Sequence, residues 1–303
     1  MKIHFPIAFC FSGLLLISGC QSVPKHTTSA ALNYKAGLLP ISIPVQIRYQ
    51  DEVNLLRLNK LLGEKEGFSN QERSQMFYER GLIYDRMGLA AHSRYDLNQS
   101  IIANPNFAPA YNILGLYMLL SRSYEEAFEA FDSSLELDST MDYTYLHRAV
   151  GLYQIERYQL AQSDIEKFYS LDPTDPYRVL WRYIITSKID PKKAYSTLKN
   201  TLRDKDDNRY AWSIVDVIAG RVSENQFLKA LANAEYDNQG LAQRLCEAYF
   251  YLGQWHKLLG DDNKATYYFK LTTTTNIHDF VEYKYALIEL AADQLAIQEQ
   301  QEE

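Results

Sequence analysis

The sequence predicts an all-α solenoid of about 13–14 paired helices, and three observations carry that reading. Small residues recur with a step of 34: Gly81, Gly115 and Ala149, with Ser93, Ala127 and Ala161 in the same rhythm. Large residues keep the same phase, as Leu97, Phe131 and Ile165, and as Phe77, Tyr111 and Tyr145. Turn residues mark the ends: Pro105 and Pro173 lie two steps apart, with Ser139 midway. A common phase across small, bulky and turn positions implies one helix–turn–helix unit stacked on copies of itself. An ordinary helical bundle has no reason to hold several classes of position in one register.

Residues 1–19 read as an address. Lys2 supplies a positive start, and the apolar run Ile7–Ile17 is too short for a comfortable membrane span. The run ends in Ile17-Ser18-Gly19-Cys20, a string that resembles the lipobox of bacterial lipoproteins, in which the cysteine is acylated and becomes the mature N-terminus. Gln21 follows, and by resemblance to lipoprotein sorting rules a residue other than Asp there favours the outer membrane. Residues 20–45 read as a lipidated tether: they lack helical periodicity and contain Pro24, Pro40 and Pro44. Leu38, Leu39, Ile41 and Ile43 are apolar enough to dock it back on the domain.

The helical domain spans 46–297, with clear repeats at 74–107, 108–141 and 142–175, and a step of this size is that of the tetratricopeptide repeat. In the second unit one helix is expected over Ala108–Ser121 and its partner over Tyr124–Leu137. Gly115 and Ala127 let the backbones approach, and Tyr111, Leu114, Met118, Phe128 and Phe131 fill the space around them at offsets of helical period. Ser123 and Glu126 have the spacing of a capping box. Asn104-Pro105 and Asp172-Pro173 end units, because proline disfavours a helical residue before it.

The pattern is divergent over 176–238 and repeat-like over 246–290. A helix is expected at Pro176–Ser187, and Asp190-Pro191 has the chemistry of an N-cap followed by a first-turn proline. Asp204 to Asn208 reads as an exposed loop, followed by short helices at Arg209–Ala219 and Glu224–Ala234, the second capped by Ser223 and Gln226. Tyr249, Leu252, Gly253, Ala265 and Phe269 return to the earlier phase, with Gly260 ending one helix and Asp261-Asp262 opening the next. A final amphipathic helix at Asp279–Ile297 caps the stack, and 298–303 is a polar tail.

Composition narrows the function. The formal net charge of −7 disfavours nucleic acid as a partner. Of three cysteines, Cys10 falls in the leader and Cys20 in the lipobox, which leaves Cys246 as a buried structural thiol. No G-x-S-x-G, H-E-x-x-H, C-x-x-C or glycine-rich phosphate loop occurs, so no catalytic residue is assigned. His4, His26, His92, His147, His256 and His278 are scattered without metal-ligand spacing. Asp204, Asp206 and Asp207 lack the Gly and closing Glu of a calcium loop, so neither metal nor cofactor is assigned beyond the lipid on Cys20.

The candidate binding surface is the inner face of the stack, lined by the first helix of each unit. The repeat positions map Tyr78, Leu82 and Asp85 from the first unit, Asn112, Leu116 and Leu119 from the second, and Tyr143, Leu146 and Tyr153 from the third. This mostly apolar, aromatic set suits an apolar peptide or a helix laid in a groove. The protein's own tether or a second copy would fill it equally well.

Several stretches resemble one family, the outer-membrane lipoproteins with tetratricopeptide repeats of Gram-negative bacteria. They are the lipobox at Cys20 and the segments Phe77–Asp85, Ala130–Asp138, Asp172–Arg178, Phe250–Gly253 and His278–Leu287. The extreme N-terminus, the tether and Glu299–Glu303 depart most, and Ser139 stands where a Pro is usual. The resemblance implies a homodimeric, non-enzymatic adaptor. Such a protein brings a periplasmic tail-specific protease to a murein endopeptidase, binds other peptidoglycan hydrolases and influences cell division. A structural lipoprotein of an outer-membrane assembly machine is the alternative.

Overall fold

In every repeat one residue must turn the chain sharply between two helices, and the backbone shows where. Gly88, Arg122, Glu156 and Gly260 all adopt left-handed φ, at +73°, +60°, +60° and +77°. The first three are 34 residues apart, so the turn repeats with the sequence. The computed structural model describes residues 39–64, 67–203 and 209–302, without the side chains of 203 and 295–302. The leader, Cys20, most of the tether and the 204–208 loop lie outside the described residues.

Among the described residues there are fourteen helices and no strand. They are α1 Tyr49–Gly63, α2 Asn70–Arg86, α3 Ala90–Ala103, α4 Ala108–Leu120, α5 Tyr124–Leu137, α6 Asp142–Gln154 and α7 Tyr158–Leu171. They continue as α8 Pro176–Ile189, α9 Pro191–Arg203, α10 Ala211–Ile218, α11 Glu224–Ala232, α12 Asn238–Leu258, α13 Asp262–Thr274 and α14 Val281–Glu302. Within the body from residue 38 onward, α2 packs on α3, α4 on α5, α6 on α7, α8 on α9 and α12 on α13. This is a tetratricopeptide-type solenoid. None of the described helices is long and apolar enough to cross a membrane.

The contact inside each pair follows from residue size. A Cβ on Gly115 would lie 2.6 Å from the Phe131 ring, and one on Gly253 the same distance from the Phe269 ring. The two sites lie far apart in sequence yet have the same partner sixteen residues on. In the third repeat Ala149 takes the glycine's place and Ile165 the phenylalanine's, both fully buried. A larger backbone neighbour is matched by a smaller side chain, as dense packing requires. The first and third repeats add a bolt between their helices: Arg80 grips Asp96 at 2.6 and 2.7 Å, and Arg148 grips Asp164 at 2.8 and 2.6 Å. These paired bonds satisfy both oxygens of a carboxylate shielded from water.

Turns between repeats share a side-chain hydrogen bond, with or without a proline ring. Asn104, Asp138 and Asp172 each accept a hydrogen bond from the backbone N–H two residues on, at 3.1, 2.9 and 3.0 Å. Ser139 therefore costs its turn nothing visible: Asp138 holds both the N–H and the hydroxyl of Thr140. One local expectation fails. Ser123 makes no side-chain cap, whereas Ser69 with Glu72 and Ser223 with Gln226 form complete capping boxes. The reason is the left-handed residue before Ser123, which sets its ψ at 71° instead of the 161° and 149° of the other two. Asp261 stands in the same kind of turn with ψ 72°, and its longer carboxylate still reaches Lys264 N–H.

The chain enters the body as an extended strap. Leu39 packs on the main core, Pro40 is buried and accepts a hydrogen bond from Tyr249, and Val45 packs beside Ala242, Cys246 and Ile277. Ile43 is bonded through its backbone to both amide atoms of Asn238, and Val45 through its own to Thr275 and Asn276. Ile41 and Ile43 point outward, so backbone pairing rather than those side chains holds the strap down. Cys246 is fully buried beneath it.

Candidate partner-binding face

Positions on one face of the first helix of each repeat converge on the inside of the stack. In α6 they are Tyr143, His147, Val150 and Gln154, with Leu146 and Tyr153 on the same side. The last helix runs along this face. Packing on α12 and α13, α14 also reaches α2, α4, α6 and α8 through its first turns. Tyr285 shares a 2.5 Å hydrogen bond with His147 Nδ1 and meets the Trp181 ring edge-on at 5.2 Å. Glu289 accepts from Gln154 at 2.9 Å, from Gln254 at 2.8 Å and from Lys257. Lys284 pairs with Asp85 at 2.9 Å, and Tyr117 donates to the same carboxylate. Of the possible occupants of the central groove, the chain supplies its own C-terminal helix.

That occupancy sets the electrostatics. Burial, with Lys284 nearby, depresses His147 to about 3, so the imidazole is neutral against Tyr285. Burial also pushes Glu282 up to about 7, helped by the neighbouring Glu247, and Tyr251 donates to it at 3.0 Å. Glu224 behaves oppositely. Burial alone would raise it, but hydrogen bonds from His256, Tyr268 and Lys264 outweigh that and hold it at about 2. Each group is bonded to a side chain of another helix, so these clusters act as fasteners between elements. Among the described residues no group of three or more His, Cys, Asp or Glu is placed to hold a metal.

The nine mapped residues divide accordingly. Leu116, Leu119, Leu146 and Tyr153 are buried in the main core, so a charge placed at Leu116 or Tyr153 would disrupt packing before it touched a partner. Asn112 is buried with its carbonyl oxygen unbonded, and Asp85 is engaged by Lys284 and Tyr117. Tyr78 is half-buried, edge-on to Phe107 at 5.1 Å. Tyr143 remains 43% exposed. Leu82 lines an open groove of about 540 Å³ between α1 and α2.

This groove was not identified from sequence. Asn54, Arg57, Leu58 and Leu61 of α1 form one wall, and Glu72, Gln75, Met76, Glu79, Leu82, Ile83 and Arg86 of α2 the other, with Phe68 between them. The signal was present in the register. Gln75, Glu79, Leu82 and Arg86 are two repeat steps before Tyr143, His147, Val150 and Gln154, so α2 offers in the open the stripe that α6 turns toward α14.

No protein-family model matches the chain. Among solved structures it is similar to a tetratricopeptide repeat protein from Parabacteroides merdae, with 15% identity over 80% of this chain and 78% of that one and a TM-score of 0.47. It is similar to pilF of Pseudomonas aeruginosa at 16% identity, covering 71% of this chain and 97% of that one, with a TM-score of 0.44. A third similar chain is YrrB, described as a repeat protein with an unusual peptide-binding site, at 12% identity over 78% and 97% of the two chains, with a TM-score of 0.41.

Proposed function

We propose that the chain is a non-enzymatic adaptor, held by lipid on Cys20 at the periplasmic side of the outer membrane. It would act as NlpI, the outer-membrane lipoprotein it resembles, acts: as a homodimer bringing a tail-specific protease together with a murein endopeptidase and other peptidoglycan hydrolases. The observation that carries this reading is the repeat stack itself. Its His147, Glu282 and Glu224 are spent joining helices to one another, while surface on several helices is left for other proteins. The mechanism is local concentration. Two partners on one moored scaffold meet as if in a single molecule, which raises their encounter rate without new chemistry.

Reconstitution tests it. Endopeptidase degradation by the protease is followed while the adaptor is titrated. A scaffold gives a rate that rises, peaks, then falls as excess adaptor separates the partners. A rate unaffected by the adaptor overturns the reading. The anchor is tested separately: Cys20→Ala should move the protein from the membrane to the soluble fraction with its helical spectrum unchanged, and retention in the membrane would remove Cys20 from its role.

A further inference from the structure

The open groove between α1 and α2 has the register of the α14 site, and no helix among the described residues lies in it. Its floor is apolar: Leu58, Met76 and Ile83 are buried at its base and Leu61, Phe68 and Leu82 half-buried along it. From Glu72 to Arg86 the α2 wall is about 20 Å long at helical rise, the length of four turns. Glu72 and Glu79 stand on its rim, two turns apart and exposed. Among the described residues Glu72 is engaged only by Ser69 of its own cap and Glu79 only by Gln75, and neither carboxylate meets a cation across the groove. Arg86, also in the wall, is tied to Asp51 at 2.7 Å, and Arg57 is the exposed cation on the α1 rim.

We propose that this groove docks an amphipathic helix of a protein partner, apolar along one face and carrying Lys or Arg where it passes Glu72 and Glu79. The occupant is a helix because the equivalent stripe on α6 takes one in this same molecule, with polar side chains of α14 meeting His147 and Gln154 at the positions of Glu79 and Arg86. The flank is basic because two carboxylates on the α2 wall lack a counter-charge, while the wall's arginine already has Asp51. The proposal rests on the adaptor reading above and names one of the surfaces through which it would act.

The test uses the full chain and a defined probe. The probe is a fluorescent 18-residue helical peptide with a Leu stripe flanked by Lys, and its twin carries Glu in place of each Lys. Anisotropy should show saturable binding of the Lys peptide and much weaker binding of the Glu twin. Glu79→Lys, a change at an exposed rim position, should weaken the Lys peptide about fivefold and strengthen the Glu twin. Leu82→Asp should cost the Lys peptide about tenfold or more. Should that variant unfold, the Glu79→Lys exchange with the two peptides decides alone. Equal affinity of the two peptides, or no change with Glu79→Lys, overturns the proposal. So does a groove filled by a second copy, seen as Glu79→Lys converting a dimer to a monomer by light scattering while the probe stays unbound. Failure here is separable from failure of the adaptor reading: the first leaves the bell-shaped degradation curve intact, whereas loss of that curve with the unmodified chain removes the adaptor role whatever the peptides do.

Discussion

The α2/α3 and α6/α7 units share a scaffold and differ in what lies on it. Both hold their helices together with a bidentate Arg–Asp pair sixteen residues apart, and both turn through a left-handed residue. On the inner side, α6 is covered by α14, and His147 and Leu146 are almost without exposure. On α2 the corresponding stripe stays open beside α1. The repeat therefore fixes where a face points, and the residues on it decide whether the chain fills it from within. Neutral His147 bonds Tyr285 and Gln154 bonds Glu289, while on α2 Glu79 stands exposed and Arg86 turns to Asp51.

The sharpest way to break that contrast is to remove the occupant's anchor. Tyr285 is fully buried between His147, Trp181 and Phe250. Tyr285→Ala should cost about 3–5 kcal/mol of unfolding free energy, because it leaves a cavity and an unbonded His147. Leu82→Ala in the open groove should cost about 1 kcal/mol or less, since its side chain already meets solvent. Urea titrations of the two variants measure both. Equal losses would mean that α14 adds no more to its stripe than water adds to the other.

A second test uses pH and sharpens the contrast by its sign. Glu282 sits near 7 in the folded chain against a usual value of 4.5, so the fold binds its proton more tightly than the unfolded chain does. Its contribution is therefore full below 4.5 and is lost as pH rises through 7. His147 runs the other way. Held near 3 against a usual 6.5, it contributes fully above 6.5 and loses that contribution as pH falls toward 3. Between 4.5 and 6.5 the two slopes oppose each other. Glu282→Gln removes one of them, so stability should climb with pH across that window by about 1.4 kcal/mol per unit more than in the parent. Parallel curves would remove Glu282 from the α12/α14 junction as a titrating group.

These contrasts show what the sequence displays and what it conceals. Gly115 with Phe131 and Gly253 with Phe269 are legible because a small residue and the ring it admits lie a fixed sixteen residues apart. Register alone places Leu82, Leu116 and Leu146 on one face. It does not say which of them is covered, because that depends on where α14 returns. The return is fixed by Lys284 with Asp85 and by Tyr285 with His147, pairs 199 and 138 residues apart that follow no period. The α1 wall of the open groove is hidden for a related reason: α1 precedes the first recognisable repeat, and nothing in phase points to Leu58 or Leu61. Ser123 shows the opposite failure, a correct local motif overridden by the turn before it.

The smallest expected effect separates the two units at their turns. Gly88 and Glu156 occupy the same repeat position with φ of +73° and +60°. At Gly88 a Cβ would also lie 2.8 Å from His278 Nε2, because the segment leading into α14 crosses the end of α2. Gly88→Ala should therefore destabilise by about 1–3 kcal/mol, combining left-handed strain with the clash. Glu156 bears the strain without the clash, since its unit meets α14 along the face of α6 and not at the turn. Glu156→Gly should accordingly stabilise, by about 0.5–1 kcal/mol once the greater freedom of glycine in the unfolded chain is set against the relief. Strain alone gives the two changes opposite signs, so it is a Gly88→Ala loss larger than the Glu156→Gly gain that would place the C-terminal segment against the first repeat's turn. A loss no larger than that gain would mean that the turns differ in nothing but their residue, and that the crossing at His278 does not hold in solution.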